Sequence, residues 1–348
     1  MSRIGFPCKK IDHPGQVNGI GAKDDCKRFN TMGTTVAWLN RQSRDVAEQK
    51  LWDIMVHNIE SIRLLVEWVG SQNENLRMVR LGSDLLNMFT EPTWRGFYDR
   101  SDVRDYCQRH FRVVGDLARA RDVRLSMHPG QFVVLGSDNP DIVNRSIEEF
   151  EYHATVAAWM GFAQRFQDFK INVHISGRAG PEGVRQAYKR LSAEARNCIT
   201  IENEEITWGL GSCLEIADTI PIVLDIHHHY IHTGEYIETT DQRVARVIDS
   251  WRGVRPVAHY SQSPEHLLVG HARDQLPNLE ALMESGFKKQ KLRAHSDFYW
   301  NTAVNDWALT FLNHFDLMAE SKGKNLASFE LYRYWCQKQP KPVMLLAA

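Results

Sequence analysis

Eight short apolar runs, separated by longer stretches of helical periodicity, recur along the chain, and this alternation limits the fold more than any other feature. The runs lie near residues 3–6, 78–81, 124–127, 170–173, 198–201, 221–224, 256–258 and 316–319. Between the first two, residues 45–69 carry Leu51, Ile54, Met55, Ile59, Ile62 and Leu65 on one helical face and stop before Gly70. Residues 101–121 repeat the pattern with Val103, Tyr106, Phe111, Val114 and Leu117. The stretches 141–162, 181–193, 211–219, 241–252, 276–285 and 325–337 complete the set. Parallel strands need crossovers of this length. Repeated strand–helix units without a linker predict an α/β protein, a single (β/α)8 barrel of the TIM type. A doubly wound open sheet is the alternative. The expected organisation is one domain over residues 1–348, with a long connection at 7–44 and an insertion at 263–289 after the seventh strand. Long βα connections tend to carry function.

Charge and cysteine usage narrow the setting. With 42 basic and 43 acidic residues the net charge is −1, so no global field steers the chain toward nucleic acid. A local basic face is still compatible with such binding. The six cysteines are scattered without a CxxC pair, which predicts neither a zinc knot nor a disulfide framework and fits a reducing compartment. No run approaches the ~20 apolar residues of a membrane span. The expectation is a soluble, cytoplasmic monomer with no membrane partner.

The chemistry sits where the apolar runs end. From the third run to the eighth, the residue that follows is His128, His174, Glu202, Asp225, His259 and Glu320 in turn. In a barrel these positions converge on the C-terminal mouth, where active sites are assembled from different strands. One such residue alone reads as a polar cap on a strand. Six in series do not, because buried charged groups rarely persist without partners. Imidazole with carboxylate suits Zn2+, Mn2+ or Fe2+. Glu202, Asp225 and Glu320 in one mouth would repel and raise the pKa of at least one, a conflict that divalent cations remove. His227 and His228 follow Asp225, and His295 and Asp297 precede the last strand, adding further donors. So many donors exceed the needs of one ion and point to two or three metals, hence to phosphodiester hydrolysis or sugar isomerisation.

Longer motifs make the reading specific. His128-Pro129-Gly130-Gln131-Phe132, His174-Ile175-Ser176-Gly177, Glu202-Asn203-Glu204, Asp225-Ile226-His227-His228, His259-Tyr260-Ser261 and Arg293-Ala294-His295-Ser296-Asp297 occur in that order. With Arg3-Ile4-Gly5-Phe6-Pro7 and Val79-Arg80-Leu81-Gly82-Ser83-Asp84-Leu85, they resemble the UV damage endonuclease family and, more distantly, endonuclease IV. The resemblance implies a barrel holding up to three divalent ions, with Mn2+ preferred and Zn2+, Mg2+ or Co2+ as alternatives. Its implied substrate is damaged double-stranded DNA, nicked immediately 5′ to the lesion with no obligate protein partner. The implied metal ligands are His128, His174, Glu202, Asp225, His228, His259, His295, Glu320 and Asp297, with His227 in a supporting or alternative role. Among them Glu202, Asp225, His259 and Glu320 are the expected catalytic centre. Gln131 and Phe132 match a pair that fills the gap left by flipped bases, and Phe6 is expected to join them at the substrate.

The chain departs from that pattern in places. Val257 stands where the family carries a modifiable lysine, and no histidine follows the second strand, where Glu91 is the nearest substitute. Phe6 replaces a tyrosine. The basic run Lys288-Lys289-Gln290-Lys291-Leu292-Arg293 either contacts phosphate or is simply solvated. Two rival readings are a sugar isomerase, which calls for a closed pocket with a catalytic lysine, and a non-catalytic damage-binding module, which calls for a depleted donor set.

Overall fold

Each apolar run becomes a strand of four or five residues in the computed structural model, which describes residues 1–18 and 26–339. The strands are β1 (Ile4–Pro7), β2 (Met78–Leu81), β3 (Arg124–Met127), β4 (Lys170–His174), β5 (Ile199–Glu202), β6 (Ile222–Asp225), β7 (Val257–Tyr260) and β8 (Asp316–Ala319). All neighbours pair in parallel, and β1 pairs with β8 through Ile4↔Leu317 and Gly5↔Met318, closing the barrel. Closure leaves no strand edge unpaired, and it decides against the doubly wound open sheet.

Strand alternation sorts the side chains into two cores. Ile171, Val173, Ile201, Leu224, Leu317 and Ala319 face outward and join the large cluster beneath the surrounding helices. Met78, Val223, Val257 and Met318 face inward and form a separate cluster with Trp251. Gly5 belongs to this interior, since a Cβ there would lie 2.8 Å from the Met78 side chain. At the strands' N-terminal ends Asp316 ties Arg124 (2.7 Å) to Arg255 (2.9 Å), beside the Trp251 ring. One end of the barrel is therefore sealed by packing and ion pairs, and the mouth lies at the other.

The helices follow the expected order with three corrections. The expected helix at 181–193 breaks in two, Gly180–Arg190 and Ala193–Cys198, where Leu191 turns to extended backbone and Ser192 caps the second piece. The helix between β7 and β8 is Thr302–Thr310, whereas residues 276–285 contribute only the short Leu279–Glu284 inside the preceding excursion. Leu268, Leu279, Leu292 and Trp300 of that excursion form a small core with Tyr230 and Ile231. The third correction is a helix at Ile226–Thr233, directly after β6, a stretch not among the expected helices. Asp225 caps it, its Oδ1 accepting from the His228 amide at 2.7 Å, and Gly234 ends it at φ +83°. Part of the 7–44 connection, residues 19–25, lies outside the described residues. Among the described residues no helix is long and apolar enough to cross a membrane.

Candidate metal centre

Because β3 to β8 are short and in register, residues at or next to their C-terminal ends meet in one place. His174 pairs with Glu202 across β4–β5, and Asp225 with His259 across β6–β7. Three overlapping groups result, each with ligand atoms within 4.8 Å of one another: His128, His174 and Glu202; Glu202, Asp225 and His228; Asp225, His259 and Glu320. Glu202 and Asp225 are each shared by two groups, as bridging ligands would be.

Several of these side chains are held so that a donor atom is left over. His128 Nδ1 lies 2.9 Å from its neighbour's Pro129 carbonyl, which leaves Nε2 facing Glu202 at 3.5 Å. His228 Nδ1 lies 3.0 Å from the Asn203 carbonyl, 3.5 Å from Glu202 and 3.7 Å from Asp225, while Nε2 faces Glu205 at 4.0 Å. Asn203 in turn grips the Asp225 backbone with both ends of its amide, at 2.9 and 3.0 Å. His259 Nε2 meets Lys170 Nζ at 3.1 Å, while its Nδ1 lies 3.1 Å from Glu202 and 3.2 Å from Glu320. Glu202 Oε1, Asp225 Oδ2 and His259 Nδ1 are all buried, and none has a hydrogen-bond partner. Orphaned acceptors cost about 1–3 kcal/mol each in a dry interior unless something binds them. A divalent cation is the partner that suits all three, so the donor set fits a metal.

Charge tells the same story. Burial alone would raise the Glu202 carboxyl, but His259, His174 and His128 more than offset it and hold it well below the usual range. Burial pushes Asp225 well above its ordinary value; His228 opposes this, while Glu202 and Glu320 add to it. For Glu320 burial is outweighed by Arg80 and His259, so the carboxyl stays low. Burial would lower His228, yet Asp225, Glu202 and Glu205 push it up to about 9. His128, His174, His259 and His295 are all lowered, burial being the main cause. Carboxylate crowding is thus real, and it is relieved partly by protons.

Sequence reasoning missed three side chains that shape the site. Arg80 of β2 makes a buried ion pair with Glu320 and supplies a fixed cation where only metals were expected. Lys170 and Asn172 of β4 face inward below His174, against His259 and Glu202 respectively. Burial pushes the Lys170 amine down to about 7. Strand alternation was the available signal, because residues 170 and 172 share the parity of His174.

Other expected residues stand apart. His295 lies near Glu320, His228 and Arg80 but joins none of the three groups. Asp297 is half-exposed, pairs with Lys322 at 3.1 Å and lines a separate cavity of about 820 Å3. His227 points away from the groups into a small cavity with Tyr230 and Ser261, so of the two adjacent histidines it is His228 that meets the carboxylates. Glu91 accepts from the Thr93 and Trp94 amides and caps its own turn rather than replacing a ligand. Gln131 is exposed beside a mouth cavity of about 240 Å3, lined also by His128, His174, His228, Glu204, Glu205 and Arg293. Phe132 is 67% exposed on the same loop. Its ring folds back over Gly130, where a Cβ would come within 2.4 Å of it. Phe6 is corrected: it is 0% exposed and packs edge-on to Trp68 behind the barrel wall, so it offers no surface to a substrate. Half of the basic run is spent internally, Arg293 on Glu205 and Lys289 on the His232 carbonyl, while Lys288 and Lys291 are exposed.

Comparison with known proteins agrees with this geometry. A UV DNA damage endonuclease of Bacillus cereus (strain Q1) is 27% identical over 329 residues, covering 91% of this chain and 92% of the relative. The UV-damage endonuclease of Schizosaccharomyces pombe is 27% identical over 303 residues, 83% of this chain but 45% of that longer protein. Among solved structures, SacUVDE aligns over 97% of this chain and 99% of its own (22% identity, TM-score 0.70). Endonuclease IV from Thermus thermophilus covers 80% of this chain and 95% of its own (15% identity, TM-score 0.51). Both share the barrel. The family model described as UV-endonuclease UvdE matches residues 15–341, a span that takes in every strand-end donor from His128 to Glu320, and the chain belongs to that family of UV endonucleases.

Proposed function

We propose that this protein hydrolyses the phosphodiester bond immediately 5′ to UV photoproducts and other helix-distorting lesions in duplex DNA, leaving a 3′-hydroxyl and a 5′-phosphate. It does so with two or three divalent ions, Mn2+ foremost, with Zn2+, Mg2+ or Co2+ as alternatives. The observation that carries the metal reading is that Glu202 Oε1, Asp225 Oδ2 and His259 Nδ1, atoms of residues that belong to overlapping donor groups in the mouth, are buried without hydrogen-bond partners. His128, His174, Glu202, Asp225, His228, His259 and Glu320 would hold the ions, with His295 at the margin. Ions bound there supply Lewis acidity toward phosphate oxygens and lower the pKa of water.

The protein's own residues do the rest. Arg80 carries positive charge beneath the carboxylates, Lys170 sets a buried amine against His259, and Arg293 brings a guanidinium to the rim of the mouth cavity. Exposed Phe132 offers an aromatic face and Gln131 an amide, the two properties needed to fill a gap left by unstacked bases. Damaged pairs cost less to unstack, so selection rests on deformability. The sugar-isomerase reading is weaker here, because Lys170 is buried under His259 and does not line the mouth cavity.

The test is nicking of UV-irradiated and undamaged plasmid with Mn2+, with chelator, and with the Glu202→Gln variant. Lesion-dependent nicking by the native protein alone is expected. Equal cutting of both plasmids, or full turnover by the variant, would overturn the proposal.

A further inference from the structure

Glu202 is shared by two of the donor groups, yet only one of its oxygens is orphaned. Its other oxygen, Oε2, accepts a hydrogen bond from Asn172 Nδ2. Asn172 is fully buried on β4, and its Oδ1 accepts from the Thr200 hydroxyl of β5 at 2.8 Å. The direction of this chain is forced by chemistry. An ionised carboxylate accepts and does not donate, so the amide must present its NH2 to Glu202 and its carbonyl to Thr200. Thr200 must then donate, and its alternative acceptor, the Ile171 carbonyl, lies at 3.5 Å. Without the hydroxyl the Asn172 carbonyl would lose its partner, and the amide would be held at its carboxylate end alone.

We infer that Asn172, locked by Thr200, is a positioning residue for metal binding: it anchors Glu202 through Oε2, the oxygen that faces His259 at 3.1 Å and His128 at 3.5 Å, and so fixes the carboxylate with Oε1 left unpaired beside His228. The inference rests on the metal-dependent reading above and extends it to two residues that touch no ion. Outer partners that orient a ligand change affinity by about 10–100-fold when removed. Both residues are interior to the barrel and wholly buried, so neither reaches DNA.

The experiment is calorimetric titration of the full chain with Mn2+, and with Co2+ as a spectroscopic probe of the ligand field. Native protein is compared with Thr200→Val, Thr200→Ser and Asn172→Ala, each checked by thermal unfolding. Thr200→Val keeps the side-chain volume but removes the donor, and it should weaken Mn2+ binding about 10-fold or more and alter the Co2+ spectrum. Thr200→Ser restores the hydroxyl and should restore both. If Asn172→Ala fails to fold, the valine and serine pair decides. Valine and native proteins with Mn2+ affinities within about twofold and identical Co2+ spectra would overturn the inference while leaving the endonuclease reading standing. Native protein that binds neither ion would overturn both.

Discussion

The buried pair of Arg80 and Glu320 makes a demand on energetics that can be measured directly. Their side chains are 12% and 9% exposed, so neither charge is screened by bulk water. Removing one partner from such a pair leaves the other uncompensated, at a cost of about 3–5 kcal/mol. Replacing Arg80 by methionine should therefore lower the stability of metal-free protein by about that amount. Glu320 also belongs to the group with Asp225 and His259, so a divalent ion there supplies the compensation that Arg80 had given. Two consequences follow by linkage. Mn2+ should bind Arg80→Met more tightly than native protein, because a competing positive charge has gone. The stability gap should also narrow under Mn2+, where even one ion at a hundredfold excess over its Kd adds about 2.7 kcal/mol. Urea unfolding with chelator and with Mn2+, alongside Mn2+ titration, gives all three quantities. An equal loss in both conditions would mean that Arg80 contributes packing alone. Weaker Mn2+ binding by the variant would refute the competition between guanidinium and ion.

Other expectations are simpler. His228, pushed up to about 9, carries a proton at neutral pH that a bound ion must displace, so Mn2+ affinity should rise with pH and level off above about 9. Because its folded value is raised, that proton stabilises metal-free protein fully below the ordinary histidine range, and the contribution fades as pH climbs through about 9; titration and unfolding across this window check both signs. Phe132→Ala should shift stability by no more than about 0.5 kcal/mol, since the ring is exposed, yet reduce preference for irradiated over undamaged duplex in a binding assay. Phe6→Ala should do the reverse, costing about 3–5 kcal/mol in unfolding experiments with unchanged lesion preference in the folded protein.

Much of the barrel was legible because each strand is a short apolar run that ends in a chemically distinct residue. The signals that fix β3 to β8 are the same ones that mark the mouth. What stayed hidden had competing local patterns. The helix at Ile226–Thr233 has three consecutive histidines in place of an apolar stripe, so periodicity was silent, and its start depends on an aspartate that reads as a ligand. That helix separates His227 from His228, a distinction no linear spacing supplies. Phe6 occupies the family's tyrosine position, but its direction is set by the pleat of β1 and by Trp68, over sixty residues away. Arg80 and Asn172 were passed over for the opposite reason: inside a strand, isolated polar residues suggested nothing until their partners across the barrel were seen.

Asp225 performs two tasks with its two oxygens. Oδ1 closes the opening turn of the helix that bears His228, and Oδ2 is left for an ion. Asparagine at this position could keep the turn but would bring an amide to the cation. Glutamate would keep the charge but overreach the amide it must hold. The site and the secondary structure beside it are consequently coupled at one carboxylate, and slower hydrogen exchange at the His228 amide on adding Mn2+ would report ion binding from the backbone itself.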